Sequence, residues 1–458
     1  MASQESALPS GPLPRQDGRA RMYENKLPSS LWTGSSASLS SGIAVIGNHL
    51  PRQCGIATFT TDLCNAIGEE YKRAQLLVVA VNDPGSHYEY PSRVRFELVE
   101  DDPSSYEDAA NFLNSSNIAT VSLQHEYGIY GGPAGSLILR LMRRLKMPVV
   151  TTLHTALRAP DANQRIVMEE VAALSDRLIV MSKHSVQILR EVFHVPEEKI
   201  DLIPHGIPEL PFGDPDLYKN STEMEGKTVL LTLGLLSPNK GIERVIEALP
   251  RIVAENPDVI YVIVGATHPH IRQREGDQYR IQLQSLAKTL GVERNVIFHN
   301  RFVSPEEMAR FVGSADIYIT PYPYEAQAVS GTLAYALGAG KAIISTPYWH
   351  AAELLAGGRG VLVPFEDSDA IASAALNLLD NEVARQAMSR RAYLYAREMV
   401  WNKAAESYMS TFVRARSERT ADTAYRIPGS EYRKNTEQAV AHRASPVSNY
   451  RSNRISVA

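Results

Sequence analysis

The sequence predicts an α/β protein built from two doubly wound parallel sheets that face each other across a cleft. Three observations carry that expectation. Short apolar strands alternate with helices along most of the chain. The alternation runs twice, separated at residues 208–226 by a stretch rich in Pro, Gly, Asp and Asn. The segment Ala315–Thr346 reads as a complete βαβ unit, a motif that sets ligands at the carboxyl edge of a parallel sheet.

Taken in order, residues 1–40 are rich in Ser, Pro and Gly without a hydrophobic period and are expected to be disordered. A buried strand opens the first series at Gly42–Gly47, and a helix is expected from about Phe59 to Glu70. Between them lies Gly55, where a missing side chain lets a ligand approach the backbone. Strands follow at Leu76–Val81 and Val94–Val99, and another runs from Val121 to the polar end His125-Glu126. A helix is expected over 134–146, with Leu137, Leu141 and Leu145 on one face and Arg140, Arg143, Arg144 and Lys146 largely opposite. That basic side suits weak contact with an anionic membrane surface, or simply a solvated face. Pro148–His154, Leu178–Ser182 and Ile200–Pro204 complete the first sheet, the last leading into His205-Gly206.

The second series has strands at Val229–Gly234, Val259–Val264, Val296–His299, Ile317–Thr320, Ala342–Ser345 and Gly360–Val363. Pro321 and Pro323 end the fourth of these, because proline removes a ladder donor. The helix expected over Thr332–Leu337 starts beside Ser330 and Gly331, where unpaired N–H groups and the dipole's positive end make an anion site. Helices close the chain at about 369–380, 382–400 and 404–416, followed by a polar tail at 417–458 that is expected to be disordered. The resulting boundaries are a first domain at 41–207, a linker at 208–226, a second domain at 227–395 and a terminal helix at 396–416.

Composition narrows the function classes. A net charge of −4 supplies no global basic field for nucleic acid. No apolar run approaches membrane-span length, and the N-terminus lacks a signal-peptide core. The two cysteines, Cys54 and Cys64, form no metal-ligand cluster and suit a reducing cytoplasm.

Several motifs in one order carry a family resemblance. They are Pro51–Phe59, Ile203-Pro-His-Gly206, Leu233–Glu243 with Lys240, Val262–Gly265, Asn295–Phe302 with Arg301, the Ala315–Thr346 unit, Trp349–Leu355, Gly360–Phe365 and Trp401. Together they resemble glycosyltransferase family 4, retaining enzymes of the GT-B fold, over nearly all of residues 42–412. The resemblance implies transfer of a glucose- or mannose-type hexose from a nucleoside-diphosphate sugar, without a metal or other cofactor. The acceptor is then a sugar or a lipid-linked molecule, and the final helix returns to the first domain. In the front-face mechanism proposed for such enzymes, a donor phosphate oxygen deprotonates the acceptor, so no dedicated nucleophile is needed.

The resemblance also assigns roles, which elementary chemistry supports. Charge on the departing diphosphate needs fixed cations and amides when no metal serves. Lys240 matches the family's phosphate-binding lysine, His154 a histidine near the donor sugar, and Glu325 is placed to accept hydrogen bonds from sugar hydroxyls. Ser330, Gly331 and Thr332 add N–H donors, with Gly55 approaching from the other domain; His125 and Glu126 fall on the acceptor side. Two departures stand out. Leu235 occupies the place of a family arginine, and Gln327 and Tyr335 align with two family glutamates while Glu325 falls two positions early. Leucine cannot replace a bidentate guanidinium. Arg301, and secondly Arg165 from the acceptor side, are the candidates to restore that cation, and Tyr335 must meet the ribose differently from a glutamate. These departures motivate the competing reading of an inert GT-B binding scaffold. An epimerase or a phosphorylase on a similar fold is a third reading, the latter disfavoured by the lack of a pyridoxal-phosphate lysine motif.

Overall fold

The computed structural model describes residues 42–425 apart from 221 and 268. The disorder expected at 1–40 and over 426–458 lies outside the described residues.

The first lobe comprises β1 (Gly42–Gly47), α1 (Gly55–Glu70), β2 (Leu76–Asn82), β3 (Val94–Val99), α2 (Pro103–Ser115) and β4 (Ile118–His125). It continues with α3 (Ile138–Met142), β5 (Val149–Leu153), α4 (Ala162–Leu174), β6 (Arg177–Val180), α5 (Lys183–Val192) and β7 (Ile200–Leu202). After the connecting α6 (Asp216–Lys219), the second lobe opens with β8 (Thr228–Leu233), α7 (Ile242–Glu255), β9 (Val259–Val264), α8 (Pro269–Glu275), α9 (Gln278–Thr289) and β10 (Val296–His299). It closes with α10 (Pro305–Ser314), β11 (Ile317–Thr320), α11 (Gly331–Gly338), β12 (Ala342–Ser345), α12 (Trp349–Leu354), β13 (Val361–Leu362), α13 (Ser368–Asp380) and α14 (Glu382–Ala396). The terminal α15 (Trp401–Tyr425) follows.

Among the described residues the strand order is β3-β2-β1-β4-β5-β6-β7 in one sheet and β10-β9-β8-β11-β12-β13 in the other, with every pairing parallel. Both orders reverse beside their first strand, between β1 and β4 and between β8 and β11. In doubly wound sheets the loops leaving those strands form the binding crevice. The strands earn their two-faced burial by period-two packing: Val229, Leu231 and Leu233 enter one core cluster, while Leu230 enters the other.

The chain crosses between lobes twice, and the crossings are laced together. The Ile207 N–H donates to Met399 O at 3.0 Å, and the Trp401 N–H to Ile207 O at 2.9 Å. Helix α15 then lies on the first lobe, where Tyr408 Oη meets Thr152 Oγ1 at 3.0 Å. It runs past the expected end at residue 416. Glu418 accepts from Arg177 at 2.9 Å, and Arg419 donates to Asp176 at 3.1 Å. Those partners are distant in sequence, so a polar segment without a hydrophobic period becomes a docked helix.

Two further expectations change. The helix expected over 134–146 is broken into a 3-10 turn at Pro133–Gly135 and the short α3, because Gly132, Ala134 and Gly135 adopt left-handed backbone. Its basic side is also spoken for: Arg140 and Arg144 pair with Glu107, and Arg143 with Glu170. The linker, in turn, carries α6, whose buried Lys219 binds Asp316 at 2.8 Å and so ties the connection to the second lobe.

Candidate active site

The second lobe builds its part of the site on the loops leaving β8 and β11. Ser330 has extended backbone and caps α11, its hydroxyl accepting the Leu333 N–H at 3.4 Å. The first-turn amides of Gly331 and Thr332 follow at the positive end of that helix. Lys240 ends the 3-10 turn Pro238–Lys240 after β8, half-buried, and its Nζ donates to Tyr322 Oη at 2.8 Å. The ammonium also sits 4.2 Å from the Tyr322 ring centroid. Among the described residues Lys240 has no carboxylate partner.

Tyr322 completes this cation site. Burial alone raises its phenol, but the Lys240 charge and the hydroxyls of Lys240's neighbours Ser330 and Thr332 outweigh that and bring it to about 8. The Tyr322 hydroxyl reaches Ser330 Oγ at 3.5 Å. On the other side of the cap, the Ser330 N–H donates to Nδ1 of the buried His350 at 2.8 Å. Lysine, phenol, helix N-terminus and histidine thus form one polar cluster at the carboxyl edge of the second sheet.

The first lobe contributes strand-end histidines. His154 follows β5; its Nε2 donates to Gln124 Oε1 at 3.0 Å and its ring meets Phe59 edge-on at 4.9 Å. Burial, then the neighbouring His205 and His125, hold it at about 3, so it is a neutral hydrogen-bonding group. His125 ends β4, fully buried with neither ring nitrogen partnered among the described residues. Glu126 is half-buried, accepting from Thr155 Oγ1 and from the Tyr127 N–H at 3.0 Å, and burial raises its carboxyl. Gly55 is the first residue of α1, and a Cβ there would meet nothing within 4 Å, so the space before this loop is open. Gly331 answers a different need. A Cβ there would lie 2.8 Å from Nε2 of His205, the histidine that precedes the crossing between lobes.

Several expected residues are placed otherwise. Arg301 is committed to Glu307 through two bonds of 2.9 and 2.6 Å, and Glu307 is itself part of the capping box of α10. Arg165 donates to Val192 O at 3.1 Å, pairs with Glu169 and lies over Phe193, so its contacts stay within the first lobe. Both arginines thus have partners away from Leu235. The Tyr335 hydroxyl donates to Asp62 of α1 at 3.1 Å, bridging the lobes. Gln327 donates its side-chain amide to Val329 O at 2.6 Å and shapes the β11 loop. Glu325 is exposed on that loop, its charge felt by His184 of the opposite lobe. We expect Arg301→Ala to leave donor affinity and turnover within about twofold, because a pair this exposed contributes little; steady-state kinetics checks it, and a large fall in donor affinity would return Arg301 to the site.

Tyr322 and His350 are the site residues that local reading misses. Both stood within stretches of interest, but nothing local shows that a phenol between two prolines will meet a lysine 82 positions earlier.

Comparison with known proteins adds the lineage. The family model described as Glycosyltransferase Family 4 matches residues 54–209, and the one described as Glycosyl transferases group 1 matches residues 215–395. Phosphatidyl-myo-inositol mannosyltransferase of Mycolicibacterium smegmatis is 29% identical over 214 residues, covering 46% of this chain and 50% of that protein. D-inositol 3-phosphate glycosyltransferase of Segniliparus rotundus is 26% identical, covering 44% of this chain and 45% of that one. The chain thus spans about half the length of the curated relatives it matches. Anabaena HepE in complex with UDP and glucose superimposes with a TM-score of 0.66 at 14% identity, over 81% of this chain and 100% of that chain. Sucrose-phosphate synthase of Thermosynechococcus elongatus gives a TM-score of 0.66 at 17% identity, over 82% and 98% of the two chains. These structural likenesses concern the fold, which is GT-B.

Proposed function

The chain belongs to glycosyltransferase family 4, and from that premise we propose that it is a retaining, metal-independent hexosyltransferase. Its donor is a glucose- or mannose-type sugar on uridine or guanosine diphosphate, and its acceptor is a sugar or a lipid-linked molecule. One observation carries the reading: Lys240 is a cation without a carboxylate partner among the described residues, held by Tyr322 beside the α11 N-terminus. Arg301 and Arg165, by contrast, are already neutralised by Glu307 and Glu169.

In this mechanism the bond from the anomeric carbon to the β-phosphate oxygen breaks while the acceptor oxygen approaches the same face of the sugar. The acceptor's proton passes to the departing phosphate oxygen, so the products are the glycosylated acceptor and the free nucleoside diphosphate. Lys240 and the amides of Gly331 and Thr332, with the Ser330 N–H held by His350 beside them, stabilise the charge gathering on the diphosphate. His154, neutral at working pH, hydrogen-bonds a donor hydroxyl, and Glu325 accepts from another. His125 and Glu126 lie on the acceptor side. The uridine nucleotide and glucose bound by HepE and the mannosyl activity named for the mycobacterial relative support a hexose donor. Two free cysteines support a cytoplasmic setting. Among the described residues, no helix is long and apolar enough to cross a membrane.

The inert-scaffold reading draws on Leu235, which supplies no guanidinium, and on Tyr335, whose hydroxyl is held by Asp62. A thermal-shift panel of nucleoside diphosphates followed by a donor screen with product analysis separates the two. Stabilisation by UDP or GDP and a new α-linked glycoside support transfer. Binding without turnover of any donor favours the scaffold, and no stabilisation at all rejects the donor site itself.

A further inference from the structure

One short helix of the second lobe, packed into its own core through Ala351 and Leu354, also reaches the first lobe. The Trp349 ring of α12 stacks on His184 of α5, with centroids 4.1 Å apart and planes inclined by 31°. The same indole packs against the hydrophobic core of the first lobe. One turn further on, Glu353 Oε2 accepts the Lys183 N–H at 2.8 Å, and the His184 N–H also reaches this carboxylate. Both amides belong to the first turn of α5, where backbone N–H groups have no partner within the helix and the dipole favours an anion. Across the cleft, therefore, α12 caps a helix of the opposite lobe.

The other side of α12 is wired to the anion-binding turn. The Trp349 N–H donates to Glu325 O at 3.0 Å and the His350 N–H to Gln327 O at 3.2 Å, so the β11 loop holds the start of the helix. Between those contacts and Glu353, His350 Nδ1 accepts the Ser330 N–H at 2.8 Å. Ser330 caps α11, and the next two amides are those assigned above to the diphosphate. A displacement at that turn thus reaches α12 through one hydrogen bond, Ser330 N–H to His350 Nδ1, and one turn of helix further on lies the opposite lobe.

We propose that α12 is a clasp that couples occupation of the diphosphate turn to closure of the cleft, with Trp349 and Glu353 as positioning residues. This rests on the reading that Ser330–Thr332 holds the donor diphosphate. Fixing that turn fixes His350, hence α12, hence the hold of Trp349 and Glu353 on α5. The two bound lobes then present acceptor-side and donor-side groups at a constant separation. By reciprocity, whatever weakens the clasp weakens nucleotide binding to the same degree.

The test is amide hydrogen exchange across 182–191 in the full chain, with and without UDP or GDP, alongside thermal shift. In the wild type, the nucleotide that stabilises the protein is expected to slow exchange at the start of α5 several-fold. Glu353→Ala is expected to speed that exchange without nucleotide, to abolish its response to nucleotide, to weaken nucleotide binding roughly three- to tenfold and to lower kcat further. Glu353→Gln keeps an oxygen acceptor and is expected to restore most of the protection, which mere loss of folding would not permit. Thermal stabilisation without any protection of α5 in the wild type overturns the clasp alone. No stabilisation by either nucleotide overturns the functional reading and the clasp with it.

Discussion

Lys240→Ala is expected to lower kcat roughly 30- to 1,000-fold, equivalent to about 2–4 kcal/mol of lost transition-state stabilisation. The reason is the timing of charge. In the donor sugar the diphosphate's charge is shared with a bonded carbon; as that bond breaks, negative charge gathers on the leaving oxygen. A half-buried ammonium aimed there by Tyr322 acts most strongly at that moment. The loss should therefore fall mainly on kcat, with a smaller change in KM. The pH profile supplies a second readout. Because the Tyr322 phenol is brought to about 8 chiefly against its burial by Lys240, its ionisation above that pH places an anion against the ammonium and weakens its pull on the diphosphate. Activity should fall on the alkaline side of pH 8 in the wild type, and Tyr322→Phe should remove that limb. An unchanged rate in Lys240→Ala would exclude the leaving-group role.

How much of this was legible beforehand depends on the range of the interaction that fixes each feature. Ile317–Thr320 and Ala342–Ser345 form strands where their apolar runs placed them, because burial on both faces of a parallel sheet leaves a local signature. Ser330 and Lys240 were legible for a similar reason: a capping serine and a loop lysine after a strand are read from their neighbours. Helix α1 starts earlier than its apolar period suggests, at Gly55, because the Cys54 thiol takes the place of a hydroxyl cap and accepts the Ala57 N–H at 3.3 Å. The end of α15 was hidden because ion pairs to Arg177 and Asp176 hold it, and no local pattern encodes them. Arg301 shows how a nearby partner competes for a candidate cation. Ser304-Pro-Glu-Glu307 is a capping-box sequence, and a glutamate six positions from an arginine was a nearer partner than a phosphate in another loop. Tyr335 and Asp62, 273 positions apart, show the opposite limit: only the folded chain brings them together.

Acid should unfold this protein well before its carboxylates alone would, because three deeply buried histidines refuse protons. His125, His205 and His350 are all but excluded from solvent, and burial holds them at about 4, 4 and 3, with His205 adding repulsion at His350. Geometry agrees at His350, where Nδ1 accepts the Ser330 N–H and a proton there would oppose that donor. The unfolded chain binds these protons near pH 6.5, whereas the folded chain declines them until about pH 4 or below. Stability is therefore full above pH 6.5 and is lost as pH falls toward those lower values, at up to about 1.4 kcal/mol per histidine per pH unit. Those three together remove about 5 kcal/mol between pH 6.5 and 5, and His154, held at about 3, adds to the loss, which is comparable with the whole stability of an ordinary domain. Asp62 works the other way: burial lifts its carboxyl to about 6, so it gains stability as pH falls from there toward the ordinary aspartate value. Its contribution by pH 5 is about 1–2 kcal/mol, and Glu126 and Glu353 shift in the same sense, so the histidines prevail. Urea unfolding at pH 7, 6 and 5 should show a steep fall in the midpoint. His125→Phe, which removes one of four such rings without stranding a partner, should lessen that slope by about a quarter. A midpoint that stays level from pH 7 to 5 would mean that these imidazoles take up protons in the folded chain, and that the Ser330 cap does not depend on a neutral His350.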